Sequence, residues 1–219
     1  NMLANSGMRK GWDFSQMNIE RQSIPWDYFE VLKQYIKPDY NVLDIGTGGG
    51  EKLIKLAGLF KEGVGIDIDP EMVKIAVENG KDTSNITFYK DDEHLKNTKE
   101  MFNIIINRHA PFDLKAIIRH LKPGGYFVTQ QVGKNNMLNI RKVLNKLALV
   151  PVISAEKINE SGLKLIDFNE YDVEYVVKDV ESFIFWLQGL DMLHADLQGS
   201  EALADTTLFN KILKGNIDN

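Results

Sequence analysis

The segment Asn41-Val42-Leu43-Asp44-Ile45-Gly46-Thr47-Gly48-Gly49-Gly50-Glu51 constrains this chain more than any other. An apolar run of strand length stops at a cluster of glycines, and a helical pattern follows. Glycines in such a turn let the backbone approach a ligand closely at the end of a sheet. The dinucleotide fingerprint would need a glycine where Glu51 stands. The glycines fall instead at 46, 48 and 50, with Asp44 two residues before the first. That spacing suits a ligand that lacks a pyrophosphate and carries an ammonium group, which an acid helps to hold.

The surrounding pattern sets the fold class. Short apolar strands are expected at Asn41–Ile45, Gly63–Asp67, Ile86–Lys90, Phe102–Asn107 and Tyr126–Val132. Helical spacing lies between them, as in Leu53, Leu56, Ala57 and Phe60, and again in Leu114, Ile117, Ile118 and Leu121. This alternation predicts an α/β chain with a doubly wound, mostly parallel sheet. Asp69-Pro70-Glu71 supplies an N-cap acceptor, a proline at N1 and an acid in the first turn, and Asn79-Gly80 ends that helix.

Ahead of the sheet, a polar arm carrying Trp12 and Phe14 leads to an amphipathic helix over Trp26–Ile36, started by Pro25. Beyond the fifth strand, helices are expected at Asn136–Leu149 and Ser154–Glu160, a sixth strand at Leu163–Asp172, and a helix at Val180–Leu190. A weaker helical pattern covers Ser200–Lys214. The reading divides the chain into an N-terminal arm and cap helix (1–36), an α/β core (37–178) and a C-terminal helical segment (179–219) within one compact domain.

The second informative site is Asp67, which closes the strand after the glycine loop. It lies roughly 20 residues past the first glycine, where Rossmann-type folds place an acid on ribose hydroxyls. Glycine loop and strand-end acid together are far more specific than either alone.

On these motifs the sequence resembles the class I S-adenosylmethionine-dependent methyltransferases, over about residues 41 to 132. The resemblance takes in the loop at 44–50, Asp67, the acidic turn Lys90-Asp91-Asp92-Glu93, the strand ending at Asn107, and Leu121-Lys122-Pro123-Gly124-Gly125-Tyr126. It implies a Rossmann-like fold that binds S-adenosylmethionine and releases S-adenosylhomocysteine. Gly46, Thr47, Gly48 and Gly50 would line the methionine moiety, with Asp44 at its ammonium group. Asp67 would bind the ribose and Ile68 would pack on adenine. Asp91 would face the adenine amino group, the Asp92 backbone would lie near the ring, and Asn107 would border the cofactor at the fourth strand's end. The family's sheet normally gains a sixth and a seventh strand. Here Leu163–Asp172 reads well and Val173–Lys178 follows too closely for an ordinary hairpin unless the turn falls near Asn169, so either the closing hairpin is very tight or the last strand is missing from the chain's end.

The methyl acceptor is less legible. His109, just past the fourth strand in Asn107-Arg108-His109-Ala110, is the candidate general base, and Arg108 is a candidate for positioning an acceptor carboxylate or phosphate. The family members that methylate amide or exocyclic nitrogens often carry Asn-Pro-Pro-aromatic at this place, which this turn does not match. Trp12, Phe14, Trp26 and Tyr28 on one side, and Phe185 and Trp186 on the other, are candidate walls of an acceptor pocket, with Phe183 expected in the core.

Composition removes several classes. The 219 residues contain no cysteine, which excludes disulfides, Cys-ligated zinc and covalent cysteine chemistry on pyrimidine C5. His94, His120 and His194 show no metal-ligand spacing. A net charge of −5, with scattered lysines and arginines, disfavours nucleic acid as a partner. No apolar run reaches the ~18 residues of a membrane span, and Asn1-Met2-Leu3 opens no signal-peptide layout. The expectation is a cytoplasmic enzyme acting on a small molecule. The rival readings are an RNA or protein methyltransferase, a silent S-adenosylmethionine-binding module and, more distantly, a dehydrogenase.

Overall fold

The computed structural model describes residues 14–143 and 155–189. In chain order the elements begin with β1 (Ile19–Arg21), α1 (Tyr28–Tyr35), β2 (Asn41–Ile45), α2 (Glu51–Lys55), β3 (Glu62–Asp67), α3 (Pro70–Asn79) and β4 (Ile86–Lys90). They continue with α4 (Asp91–Asn97), β5 (Phe102–Arg108), α5 (Leu114–His120), β6 (Leu121–Gln130), α6 (Leu138–Val143), α7 (Ala155–Glu160), β7 (Tyr175–Val177) and α8 (Val180–Gly189). The described residues fall into two compact units, one of residues 24–132 and 155–169, the other of residues 14–23, 133–143 and 170–189. Leu32 and Ile36 are buried in the core of the sheet-bearing unit.

That unit holds a five-stranded sheet in the order β4-β3-β2-β5-β6, with every pairing parallel. Successive residues of β2 and β5 feed two cores, as a sheet covered on both faces requires. Val42, Ile104 and Ile106 join Leu32, Leu53, Leu56 and Phe60 on one face. Leu43, Ile45, Ile66 and Ile105 join Leu95, Phe102 and Ile117 on the other. The Phe88 ring fills space left by three glycines: a Cβ on Gly50, Gly65 or Gly80 would lie 2.7, 2.6 or 2.7 Å from it.

The strand order turns back between β2 and β5. In open α/β sheets, ligands bind beyond the carboxyl ends of the strands at that reversal.

Several boundaries shift for local reasons. The first helix begins at Tyr28 and not at Trp26, because the Asp27 carboxylate caps it by accepting from the Phe29 and Glu30 N–H groups. The strand expected from Tyr126 starts at Leu121, and Lys122–Gly125 bulge out of it, as the register step from Phe102↔Leu121 to Ile104↔Tyr126 shows. Gly124 takes φ 75° in that bulge. The helix after Leu53 is broken into α2 and a 3-10 turn at Ala57–Leu59. The cap of α3 is as expected: Asp69 accepts from Glu71 N, and Pro70 opens the helix.

The expected sixth strand at Leu163–Asp172 is not one. Its apolar alternation is real, but a strand needs a hydrogen-bonding neighbour, and residues 163–174 have no ladder. Ile166 and Phe168 are 66% and 59% exposed.

In the second unit, β7 pairs antiparallel with β1, which the sequence showed only as a polar arm. There Phe185 is buried while Phe183 is only half-buried, the reverse of the expectation. The Phe14 ring packs edge-on against Phe185 at 5.9 Å. Trp12, His194, residues 144–149 of the helix expected at Asn136–Leu149, and the Ser200–Lys214 pattern lie outside the described residues. Among the described residues no helix is long and apolar enough to cross a membrane.

Candidate functional site

The carboxyl ends of β2, β3 and β5 gather most of the residues singled out by sequence. Gly46, Gly48 and Gly50 take φ of 73°, 58° and 77°, a backbone that side-chain-bearing residues rarely adopt. The loop they form is tied at both sides. Gly46 and Thr47 donate their N–H groups to the Ile66 carbonyl, each at 2.9 Å. The Asn79 amide of α3 donates to the Gly49 carbonyl at 2.8 Å.

Asp67 completes this loop. One carboxylate oxygen accepts from Gly48 N at 2.8 Å, and the other from Asp69 N at 3.0 Å. Each oxygen keeps a further lone pair, so the group is held in one orientation and still able to accept from a pair of hydroxyls. The next residue, Ile68, is 69% exposed, an apolar side chain presented beside that acid. Asp91 and Asp92 open α4 directly after β4.

Asp44 sits one strand over, at 7% exposure. Burial pushes its carboxyl up to about 6; the Thr47 hydroxyl and Lys52 oppose this, and the Asp67 charge adds to it. The buried Thr47 hydroxyl is near enough to favour the carboxylate but sits in no hydrogen-bond geometry. A buried acid next to an unused hydroxyl, behind a loop of left-handed glycines, fits a ligand with a cationic head.

On the β5 side, Asn107 is 0% exposed. Its amide N–H donates to the Ile45 carbonyl at 2.9 Å, and its amide oxygen accepts from the Thr129 hydroxyl at 3.1 Å and from Gln131. The side chain therefore locks β2, β5 and β6 together at the reversal. Gln131 also donates to the Ala110 carbonyl at 3.2 Å. Gln130 accepts from Arg108 Nε at 2.7 Å through its side chain, and from His109 N at 2.9 Å through its carbonyl. Two consecutive glutamines thus hold the whole turn from Asn107 to Ala110. Nothing in the sequence marked them, because their partners lie 21 to 24 residues away.

The charged groups on this edge act on one another. The Arg108 guanidinium lies 5.8 Å from the Tyr28 ring centre, and the Tyr28 hydroxyl donates to the Asn107 carbonyl at 3.2 Å. Burial, reinforced by the Asp44 charge, raises the Tyr28 hydroxyl well above its usual range, so it stays a neutral donor. Partial loss of hydration, then the Arg108 and Lys52 charges, lower His109 to about 4. Its imidazole is neutral at physiological pH and a weak base. Lys52, in the first turn of α2, is lowered by desolvation first and then by Arg108. His109 carries φ 57°, a left-handed backbone at a non-glycine residue.

His120 belongs to the scaffold: it is buried, with Nδ1 2.9 Å from the Glu100 carbonyl and Nε2 3.1 Å from that of Leu95. No group of side chains able to hold a metal ion occurs among the described residues. A cavity of about 280 Å³ lined by Lys122, Gly124, Leu163 and Lys164 opens at the start of β6. That is the amino end of the strand, away from the edge where parallel sheets bind ligands.

A family model described as a methyltransferase domain matches residues 36–169, more than half of the chain. The chain belongs to the methyltransferase-domain family. Its sheet order and parallel pairing are those of the Rossmann-like, S-adenosylmethionine-dependent methyltransferases. Among curated proteins, this methyltransferase-domain chain is similar to the ribosomal protein L11 methyltransferase of Dictyoglomus turgidum, at 27% identity over 153 residues. That match covers 68% of this chain and 46% of that protein. The protein of the same name from Caldicellulosiruptor saccharolyticus is 31% identical over 135 residues, covering 59% and 44%. The chain spans about half the length of the curated relatives it matches. Among solved structures, the YcgJ protein of Bacillus subtilis superposes with a TM-score of 0.50 at 23% identity, over 60% of this chain and 64% of that one, a likeness of fold.

Proposed function

We propose that this chain transfers the methyl group of S-adenosylmethionine to a small-molecule acceptor with an oxygen or nitrogen nucleophile, leaving S-adenosylhomocysteine. The observation that carries the reading is the Gly48 N–H to Asp67 bond, which ties the glycine loop after β2 and the acid at the end of β3 into one cradle beside the reversal of the sheet. In this reading Asp44 takes the methionine ammonium group, and Gly46, Thr47, Gly48 and Gly50 give their backbone to the methionine moiety. Asp67 accepts from the ribose hydroxyls. Ile68 covers one adenine face, and the start of α4 at Asp91 and Asp92 borders its edge. Asn107 serves by fixing the strand ends through its buried amide.

When bound, the cofactor supplies a methyl group on a positively charged sulfur, already activated for displacement. The protein's task is then alignment. The two glutamines hold Arg108 and His109 still, and Tyr28 fixes the Asn107 carbonyl. The small size of the acceptor is supported by the net charge of −5 and the absence of a basic stripe in the sequence. The relatives' printed name points to a protein acceptor, but this chain matches under half of those proteins.

Calorimetry with S-adenosylmethionine, S-adenosylhomocysteine and NAD tests the reading. Micromolar binding of the first two and none of NAD is expected; tight binding of NAD alone overturns it. Cofactor binding without turnover across a broad acceptor panel would favour a silent binding module instead.

A further inference from the structure

The cavity at the start of β6 is framed by two chain reversals within the sheet-bearing unit. Pro123 has no N–H for the ladder, so Lys122–Gly125 leave it as a bulge, in which Gly124 takes φ 75°. Across the cavity, α7 stops at Glu160, and Gly162 takes φ 91° as the chain turns out of the helix. A Cβ on Gly124 or Gly162 would meet no atom within 4 Å, so both reversals face open space. That space amounts to about 280 Å³. One wall is apolar: Leu121 is buried, and Leu163 packs half-buried against the core that holds Leu121 and Ile117.

Lys122 and Lys164 also line the cavity, and no acid does. The Lys122 ammonium donates to the Asn103 side-chain oxygen at 3.0 Å, and the same oxygen accepts from Asn41 N at 2.9 Å. That partner is neutral, so it aims the ammonium without cancelling its charge, and two of the three N–H donors are left. Neither lysine forms an ion pair among the described residues. The last carbonyls of α7 are bonded to the N–H groups of Ser161 and Gly162, so the lysines are not engaged in capping that helix.

We propose that this cavity is a further binding site, for a small organic anion whose carboxylate or phosphate is held by Lys122 and Lys164 and whose apolar body rests on Leu121 and Leu163. An anion is the charge complement of a cavity with two ammonium groups and no carboxylate. An inorganic ion would leave the apolar wall facing water, and a neutral apolar molecule would leave the lysines unused. The volume falls just below the roughly 300–1,000 Å³ of pockets that hold drug-sized ligands, so the occupant is smaller than those. The cavity lies at the amino end of β6, away from the glycine loop, and the proposal does not rest on the cofactor reading.

The test is amide NMR on the full chain, titrated separately with phenyl phosphate, benzoate, benzamide and inorganic phosphate. At least one of the two organic anions is expected to shift the Gly124, Gly125 and Gly162 amides along one saturation curve, leaving those of Gly46, Gly48 and Gly50 in place. Which of the two binds identifies the head group. That anion should bind roughly tenfold more tightly than its control, the order of one charge-assisted hydrogen bond for benzoate over benzamide and of burying part of a ring for phenyl phosphate over inorganic phosphate. Lys164→Gln replaces an exposed side chain and leaves the fold intact; Lys122→Gln keeps a donor for Asn103 and removes the charge. Each should weaken binding of the anion several-fold. Shifts absent from the three glycines or centred on residues 46–50, a control that binds as tightly as its organic anion, or an affinity unchanged in both variants overturns the inference.

Discussion

Gly46 and Ala110 meet across the reversal of the sheet with no room for another methyl group. A Cβ built on Gly46 would lie 2.1 Å from the Ala110 Cβ, and Gly46 already carries φ 73°. One residue opens the cofactor loop after β2 and the other closes the turn after β5, so their contact sets the spacing between the proposed donor and acceptor halves of the site. Gly46→Ala should cost about 2–4 kcal/mol, from the left-handed backbone and from overpacking together. Adding Ala110→Gly should restore the packing part only, about 1–3 kcal/mol. Chemical denaturation of the two single variants and the double variant measures the coupling. Additivity of the two substitutions would show that the residues do not touch.

Asp67 accepts two backbone N–H groups from different segments, Gly48 and Asp69. Its loss should therefore touch both loop order and affinity. Asp67→Asn keeps one good acceptor and should weaken S-adenosylhomocysteine binding about tenfold; Asp67→Ala should weaken it about a hundredfold and cost the fold about 1–2 kcal/mol. Calorimetry and thermal unfolding on the same samples separate the two effects. Full affinity in the alanine variant would remove Asp67 from the ribose site.

The glycine loop and Asp67 were legible as candidates in the sequence because their signals are local. Glycines at 46, 48 and 50 and an acid ending an apolar strand need no knowledge of the rest of the chain. The strands at Asn41–Ile45 and Ile86–Lys90 came out at their observed bounds for the same reason. Leu163–Asp172 failed because apolar alternation describes a side-chain pattern, whereas a strand depends on a neighbour for its backbone. Three-residue β1 was invisible because it exists only through its pairing with β7, which lies within the Val173–Lys178 run that the sequence offered as a strand in a hairpin with Leu163–Asp172. The roles of Gln130, Gln131, Lys52 and Ala110 were unreadable on the same grounds: each is defined by a partner distant in sequence.

Gln131 is the clearest case. Its amide reaches the Asn107 oxygen, the Thr129 hydroxyl and the Ala110 carbonyl. Gln131→Leu keeps the volume but removes these bonds, and should destabilise the chain by about 1–3 kcal/mol. As a positioning residue it should lower kcat more than it raises the KM for the cofactor, since the loop of 46–50 is tied elsewhere. Gln131→Glu, which retains acceptors but loses the donors, should not rescue it. A variant with unchanged kcat would reduce Gln131 to a scaffold role.

Asp44 yields a prediction with opposite signs for stability and binding. Its folded carboxyl titrates near 6 against an ordinary value of 3.8. Between those values the folded chain binds more protons than the unfolded chain. The uncomplexed protein therefore loses stability as pH rises from about 4 to 6, and by pH 7 the loss from this group is about 3 kcal/mol at about 1.4 kcal/mol per unit. Asp44→Asn removes the buried charge and should stabilise the ligand-free chain at pH 7 while flattening this pH dependence. Binding of S-adenosylhomocysteine should respond in reverse, because its ammonium group needs the carboxylate: affinity should rise between pH 5 and 7 in the unsubstituted chain, and fall in Asp44→Asn. Urea unfolding and calorimetry across that pH range test both halves. An asparagine variant that is less stable at pH 7 yet binds the ligand normally would contradict both the buried charge and its assigned partner.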